Sequence, residues 1–340
     1  MKYKVAINGF GRIGRAFLKV AWDNPSLEIV AVNDLGSIES LAYLLRHDTV
    51  YRDWGHKVDV KAGALVIDGK VVQFISEKDG TKLPWKDLAV DIVVESTGLF
   101  TSYEKAKFHL DAGAKKVVIS APSKDEPGGP QSETILMSIN EDKFGTCDIT
   151  SNASCTTNAA SPLIAILDEA LGIEKAILNT VHGYTASQSL VDGPSKKDLR
   201  EGRAAAQNIV PSSTGAAIAV TKAFPSLAGL FDGISIRVPV PAGSIVDVTF
   251  ISKKPTTAEE VNAILKKAAT DSRWANIFAV TEEPLVSSDI LGKPQASIAD
   301  LEMTRVVGGN LVKVMGWYDN EMGYTHTLVE HVVKTAGTIK

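Results

Sequence analysis

Residues 3–21 read Y-K-V-A-I-N-G-F-G-R-I-G-R-A-F-L-K-V-A. Tyr3 to Asn8 is a short β-type run centred on Val5 and Ile7, and Phe17, Leu18, Val20 and Ala21 follow with helical spacing. Between them Gly9-Phe10-Gly11-Arg12-Ile13-Gly14 is G-x-G-x-x-G, strand before and helix after. In that setting the first glycine turns the chain, the second lets backbone approach a pyrophosphate, and the third lets helix pack on strand. The next strand, Glu28 to Val32, ends in Asn33-Asp34, and Asp34 follows Gly14 by 20 residues. An acid there accepts hydrogen bonds from a ribose 2′-OH and repels a 2′-phosphate. The stretch therefore predicts a dinucleotide site that prefers NAD to NADP.

Strand–helix alternation continues outward from this unit. Leu41 to Leu45 is helical in character, and Lys57 to Phe74 reads as short strands broken by Gly63 and Gly69. Asp91 to Glu95 is a buried strand ending at Ser96-Thr97-Gly98; Tyr103 to Ala112 is helical; Val117 to Ser120 is another buried strand. Such repetition predicts an α/β domain with a doubly wound parallel Rossmann sheet and ligands at the carboxyl ends of its strands. Gly9, Asp34, Thr97 and Ser120 stand at such ends. Ser123 to Ser132 reads as a solvated polar loop.

A second informative stretch is Ile149 to Leu167, I-T-S-N-A-S-C-T-T-N-A-A-S-P-L-I-A-I-L. Cys155 stands between a strand end and an apolar helical run, flanked by Ser154, Thr156, Thr157 and Asn158. Small hydroxyl and amide side chains favour helix N-termini, where they bond free N–H groups. A thiol there feels the positive end of the helix dipole, which predicts a depressed thiol pKa and a nucleophilic thiolate. Beyond it the pattern changes. Ala176 to His182 is a strand ending in His182-Gly183-Tyr184-Thr185, and a long stretch with little regular signal follows. Loops of that length in compact domains are usually functional. Ser212 to Gly215 opens a helix through Ala223; Ile234 to Pro239 and Ile245 to Ser252 alternate as strands; Thr257 and Glu260 form a capping box; Asn310 to Tyr318 is a further strand. Leu328, Val329, Val332, Val333 and Ala336 make one apolar helix face. The second half thus reads as an α+β domain on a mainly antiparallel sheet.

The 340 residues suit two domains, with 44% hydrophobic and 22% charged residues as in ordinary soluble proteins. A net charge of -4 without a dense basic run speaks against a nucleic-acid partner, and no apolar run is long enough for a bilayer. The N-terminus lacks the apolar region of a secretory signal. The two cysteines, Cys147 and Cys155, form no C-x-x-C pair, which fits a reducing compartment, the cytoplasm, and no structural metal. His47, His56, His109, His326 and His331 read as surface or packing residues.

Six motifs together resemble the phosphorylating glyceraldehyde-3-phosphate dehydrogenase family: S-N-A-S-C-T-T-N (Ser151 to Asn158), N-G-F-G-R-I-G-R (Asn8 to Arg15), V-N-D (Val32 to Asp34), E-S-T-G (Glu95 to Gly98), S-T-G-A-A (Ser213 to Ala217) and W-Y-D-N-E-x-G-Y (Trp317 to Tyr324). The resemblance runs over essentially the whole chain. It implies Cys155 as nucleophile and His182 as the imidazole that activates it. It implies that the Gly9, Phe10 and Gly11 loop, Arg12 and Ile13 meet the cofactor pyrophosphate, that Asp34 meets the adenosine ribose, that Lys78 and Ser120 make further NAD contacts, and that Asn320 orients the nicotinamide. Ser154, Thr156, Thr214 and Gly215 match a site for inorganic phosphate; Thr185, Arg200 and Arg237 match residues around the substrate phosphate. It further implies a homotetramer in which the loop Gly183 to Gln207 crosses to a neighbour. A cofactor domain of residues 1–154 plus 320–340 and a catalytic, tetramerising domain of 155–319 follow from it. Departures from the family pattern are Ala159 for a second cysteine, Ala186-Ser187-Gln188 for Asn-Asp-Gln, Ile218 for a lysine, and Glu201 where a basic residue often follows Arg200; Pro194 and Asp34 match the NAD-preferring members.

The implied chemistry is oxidation of an aldehyde through a cysteine thiohemiacetal and thioester, the thioester then being cleaved by phosphate. The rival expectations are an erythrose-4-phosphate dehydrogenase, a semialdehyde dehydrogenase of similar architecture, and a non-catalytic binding protein on the same fold.

Overall fold

The computed structural model describes residues 2–125, 131–195 and 198–339. Residues 126–130 of the expected Ser123–Ser132 loop, and 196–197 of the long loop, lie outside the described residues. The chain divides into two compact units, Met1–Ala153 with Thr325–Lys340, and Ser154–Tyr324.

The first unit runs β1 (Tyr3–Asn8), α1 (Arg12–Ala21), β2 (Leu27–Asn33), α2 (Ile38–Arg46), β3 (Val58–Lys61), β4 (Ala64–Ile67), β5 (Lys70–Ile75), β6 (Ile92–Glu95), α3 (Tyr103–Ala106), α4 (Phe108–Asp111), β7 (Lys116–Ile119), β8 (Ser132–Thr134) and β9 (Ile149–Ser151). The strands form one sheet in the order β3-β4-β5-β2-β1-β6-β7-β9-β8. Pairings from β5 through β8 are parallel, and β3, β4 and β5 make an antiparallel meander. Val5, Ala6, Ile7, Ile92, Val93, Val94, Val117, Val118 and Ile119 are all 0% exposed. A central parallel strand is covered on both faces, which is why these strands are continuously apolar rather than alternating. The meander turns where glycine allows it, at Gly63 and Gly69, both with positive φ.

One helix was expected over Tyr103 to Ala112, and the structure has two. Lys107 N–H bonds back three residues to Glu104 O rather than four, and this tight turn separates α3 from α4.

The second unit contains α5 (Cys155–Leu171), β10 (Ile173–Gly183), β11 (Val210–Ser213), α6 (Ala216–Ala223), β12 (Phe231–Val238), β13 (Ser244–Ser252), α7 (Ala258–Ala269), β14 (Phe278–Thr281), β15 (Ser297–Val307) and β16 (Leu311–Tyr318). Its sheet order is β11-β12-β10-β13-β16-β15-β14. The ladder is antiparallel except for β10 with β12 and β14 with β15. β11, β14 and β15 go beyond the strands expected from the sequence; Ser212 and Ser213 pair with Ser235 and Ile234 in β12, so the helix expected to open at Ser212 begins at Ala216. The pairing of β15 slips register between Asp300 and Arg305, and a slip of that kind erases the period-two pattern. The long loop between β10 and β11 contains one 3₁₀ turn, Leu199–Gly202. Thr257 caps α7 by accepting from Glu260 N, which is one half of the expected capping box; the Glu260 carboxylate instead accepts from Thr256 Oγ1 at 3.0 Å.

The last helix, α8 (Met322–Ala336), buries Leu328, Val329, Val332 and Ala336. Within the first unit its His331 lies between Thr150 Oγ1, at 2.7 Å, and Asn152 Oδ1, at 3.1 Å, and its Lys334 pairs with Glu141.

Candidate active site

α5 begins at Cys155 because its entry is capped. Ser154 Oγ accepts from Thr157 N at 3.0 Å, and Asn158 N–H closes the first helical turn on Ser154 O. Just before it Ala153 adopts φ +54°, a left-handed conformation that an L-residue with a side chain rarely holds. The helix continues through Pro162, so only the turn ending there gives up a donor.

His182 is the penultimate residue of β10, and Arg237 is the penultimate residue of β12. The parallel register sets these two positions directly opposite one another. His182 is 2% exposed, and its Nε2 lies 3.4 Å from the half-buried Cys155 Sγ. Its Nδ1 lies 2.6 Å from the carbonyl oxygen of Gly183 and 2.5 Å from Arg237 Nη1. Gly183 O only accepts and the Arg237 guanidinium only donates, so the two contacts favour opposite tautomers; the Nδ1–H form, donating to Gly183 O, is the one that leaves the Nε2 lone pair facing the thiol. Arg237 then acts mainly through its charge, with its nearest carbonyl, Gly183 O, at 3.4 Å.

Burial and the Arg237 charge push His182 down to about 3, so the ring is neutral at physiological pH. Burial also pushes the Cys155 thiol up. The Arg237 charge, the Thr156 hydroxyl and the backbone N–H groups of Thr156 and Cys155 pull it back without cancelling that rise. The expected depressed thiol pKa is therefore not found in this structure: desolvation outweighs the Arg237 charge and the hydrogen bonds to the thiol. The pair is a neutral thiol beside a neutral imidazole with an open acceptor.

Tyr318, the last residue of β16, underlies this pair and was not anticipated as a site residue. Its hydroxyl bonds Thr156 Oγ1 at 2.9 Å and Thr180 Oγ1 at 2.8 Å, tying α5 to β10, and its ring meets the His182 ring edge-on. The only sequence signal was its place in W-Y-D-N. Asn320 Oδ1 accepts from Gly243 N and from Ser244 Oγ, and Ser244 Oγ in turn accepts from Gly183 N. Asn320 thus stands in the second unit, joined to the strand end that carries His182.

The remaining expected anion contacts lie on loops and helix starts of the same unit. Thr214 Oγ1 accepts from Ala216 N where α6 begins, and Gly215 is the helix N-cap residue. Thr185 Oγ1 bonds Ser187 Oγ at 3.1 Å. A cavity of about 670 Å³ is lined by Ser187, Asp198, Leu199, Arg200, Glu201 and Ser213. Glu201 turns its carboxylate to Ser212 Oγ, at 3.3 Å. Ser154 is already engaged as the cap of α5.

In the first unit the glycine loop is built to admit a flat ligand. Gly9 has φ +94°, and a Cβ on Gly14 would stand 2.1 Å from Gly9 O, so neither position accepts a side chain. A Cβ on Gly11 would meet nothing within 4 Å, which leaves that backbone open. Asp34 at the end of β2 accepts from Phe10 N at 2.6 Å and Gly36 N at 2.8 Å, and so holds the loop. Ile13 is half-buried on α1, and Arg12 pairs with Asp48 at 2.8 Å. Lys78 is exposed after β5, and Ser120 N–H bonds Glu95 O just past β7. Open glycine backbone, a helix N-terminus and a strand-end carboxylate suit a dinucleotide.

The comparisons with known proteins agree with this chemistry. Residues 3–103 match the family model for the glyceraldehyde 3-phosphate dehydrogenase NAD binding domain, and residues 154–320 match that for its C-terminal domain. The chain is 47% identical over 331 residues to the glyceraldehyde-3-phosphate dehydrogenase of Clostridium acetobutylicum, with 96% of each chain covered. It is 46% identical over 336 residues to that of Streptomyces coelicolor, covering 98% of each, and 47% identical over 332 residues to that of Geobacillus stearothermophilus, covering 97% of each. Two family models in the same chain, and nearly half of all positions shared along almost the full length, leave one assignment: the chain belongs to the glyceraldehyde 3-phosphate dehydrogenase family.

Proposed function

We propose that the protein oxidises D-glyceraldehyde 3-phosphate to 1,3-bisphosphoglycerate with NAD and inorganic phosphate. The observation that carries this reading is Cys155 Sγ, at the start of α5, lying 3.4 Å from Nε2 of His182. His182 takes the thiol proton as Sγ bonds to the aldehyde carbon, and the carbonyl electron pair moves onto oxygen. The protonated Nε2 and the free N–H groups at the start of α5 hold that oxyanion. When bound, the nicotinamide supplies the acceptor for the hydride that the former aldehyde carbon loses as the thioester forms. An oxygen of inorganic phosphate then attacks the thioester carbonyl, the C–S bond breaks, and Sγ leaves and recovers its proton from His182.

The residues proposed to hold the cofactor are the backbone of Gly9, Phe10 and Gly11, with Arg12, Ile13, Asp34, Lys78, Ser120 and Asn320. Thr156, Thr214 and Gly215, with Ser154 as the helix cap, are proposed for inorganic phosphate. Thr185, Arg200 and Arg237 are proposed for the substrate phosphate. We further propose a homotetramer in the cytoplasm. Leu190 and Val191 on the long loop are 78% and 73% exposed, which suits a loop that another subunit covers. Both cysteines are free, which suits a reducing compartment.

The test is turnover of glyceraldehyde 3-phosphate with NAD, followed as NADH formation with and without inorganic phosphate. Sustained turnover that requires phosphate is expected. No turnover at saturating substrate overturns the reading.

A further inference from the structure

His109 and Glu95 take no part in the chemistry above, yet both are buried and ionisable, at 0% and 2% exposure. Their partners form a continuous chain of directed hydrogen bonds within the first unit. Trp85 Nε1 lies 2.9 Å from His109 Nδ1. An indole N–H only donates, so Nδ1 accepts and the imidazole hydrogen sits on Nε2. Nε2–H then donates to Glu95 Oε2 at 3.0 Å. The same oxygen accepts from Asn8 Nδ2 at 2.6 Å. That fixes the Asn8 amide, whose Oδ1 accepts from Asn33 Nδ2 at 2.7 Å. Asn33 is fixed in turn, and its Oδ1 accepts from Glu77 N at 2.9 Å. The other oxygen of Glu95 accepts from Thr97 N at 2.8 Å and Thr97 Oγ1 at 2.5 Å.

Hydrogen-bond polarity therefore converges on Glu95 from both ends, from Trp85 through His109 and from Glu77 through Asn33 and Asn8, and no member can turn over without setting two donors or two acceptors face to face. The chain ends on the segments proposed to cradle the cofactor. Asn8 precedes Gly9; Glu77 precedes Lys78; Thr97 is the turn after β6. A Cβ on Gly9 would lie 2.6 Å from Thr97 N, so the glycine loop and that turn touch closely, and Ser96 Oγ laces them together by donating to Gly9 O at 2.7 Å. We propose that Trp85, His109, Glu95, Asn8 and Asn33 are positioning residues that act as one polar relay. The relay sets the spacing of these three segments, and through it the affinity for the dinucleotide. It rests on the NAD reading above.

The test exploits the polarity. NAD is titrated calorimetrically into the full chain for wild type, Asn8→Asp, Glu95→Gln and the double variant, with melting temperature and Cys155 alkylation measured alongside. Asn8→Asp sets two carboxylates together; Glu95→Gln turns an amide N–H toward the donors of Asn8 and His109. Each single change is expected to weaken NAD about tenfold, the scale of one unsatisfied buried polar group. In the double variant the amide introduced at position 95 can donate to the carboxylate introduced at position 8, which still accepts from Asn33. It is therefore expected to bind NAD about threefold tighter than either single variant. Unchanged affinity in the single variants, or losses that add in the double, overturns the proposal. Trp85→Phe keeps the bulk and removes only the first donor; it covers the case in which the carboxyl and amide variants do not fold. There NAD is expected to weaken about threefold with alkylation unchanged, and wild-type affinity overturns the relay. Failure of the wild type itself to bind NAD would instead overturn the cofactor reading.

Discussion

Cys155 and His182 face each other with one acceptor and one proton between them, so removing either should stop turnover in a different way. Cys155→Ser should abolish NADH formation while NAD binding persists, because a serine hydroxyl beside a neutral imidazole is too weak an acid to attack. Turnover near wild type would exclude the covalent route. His182→Asn keeps the thiol and removes the base, and kcat should fall by roughly 10²- to 10⁴-fold. In the substrate-free protein burial holds the thiol above its ordinary value. The rate of iodoacetamide alkylation should accordingly still be rising at pH 9, and a plateau reached near neutrality would show that desolvation does not dominate. Tyr318→Phe leaves the ring and takes the hydroxyl from Thr156 and Thr180. About 1 kcal/mol of stability should go with it, seen as a lower melting temperature.

At the scale of elements, the decisive features are ends: the carboxyl ends of β1, β2 and β6 and the amino end of α5. In the proposed cofactor site, Asp34 is the residue expected to select the ligand. Its carboxylate holds Phe10 N and Gly36 N, and in the proposed cofactor site a 2′-phosphate would bring a like charge beside it. Pro194, if its loop reaches a neighbour's pocket as the family resemblance implies, adds a steric obstacle. Wild-type protein should favour NAD strongly in kcat/KM. Asp34→Gly should shift the NADP-to-NAD ratio by about tenfold or more, the scale of one unfavourable charge contact, and Asp34→Gly with Pro194→Ser further still. Equal kcat/KM for both cofactors in the wild type would remove Asp34 as the discriminator.

For the whole molecule, the buried histidines make stability depend on pH. Burial pushes His182 and His331 down to about 3 from an ordinary 6.5, whereas the unfolded chain protonates both near 6.5. Below that pH the unfolded state binds protons that the folded state refuses, so stability is lost as pH falls from 6.5 toward 3. Each histidine contributes up to about 1.4 kcal/mol per pH unit. The melting temperature should fall between pH 7 and pH 5, and His331→Gln should make that fall shallower; an identical slope would mean His331 is not held neutral. The residue types also mark how far sequence alone could reach. Local, directional features were legible: the glycine spacing of residues 9–14, Asp34 beyond it, the small polar residues around Cys155 and the Thr257 cap. The glycine turns and the caps are set by neighbours a few residues away, and Asp34 is marked by its fixed spacing from the glycines; backbone sterics and capping leave a pattern at that range. The approach of His182 to Cys155, Arg237 opposite His182, Tyr318 beneath Thr156 and the hydrogen bonds converging on Glu95 from Trp85 and from Glu77 left no such pattern. They depend on which strands pair and in what register, and on how much water each group loses. The Cys155 thiol shows the difference: by sequence its helix N-terminus favours the thiolate, and only the packed structure shows that burial pushes the thiol up more than the Arg237 charge and its hydrogen bonds pull it down.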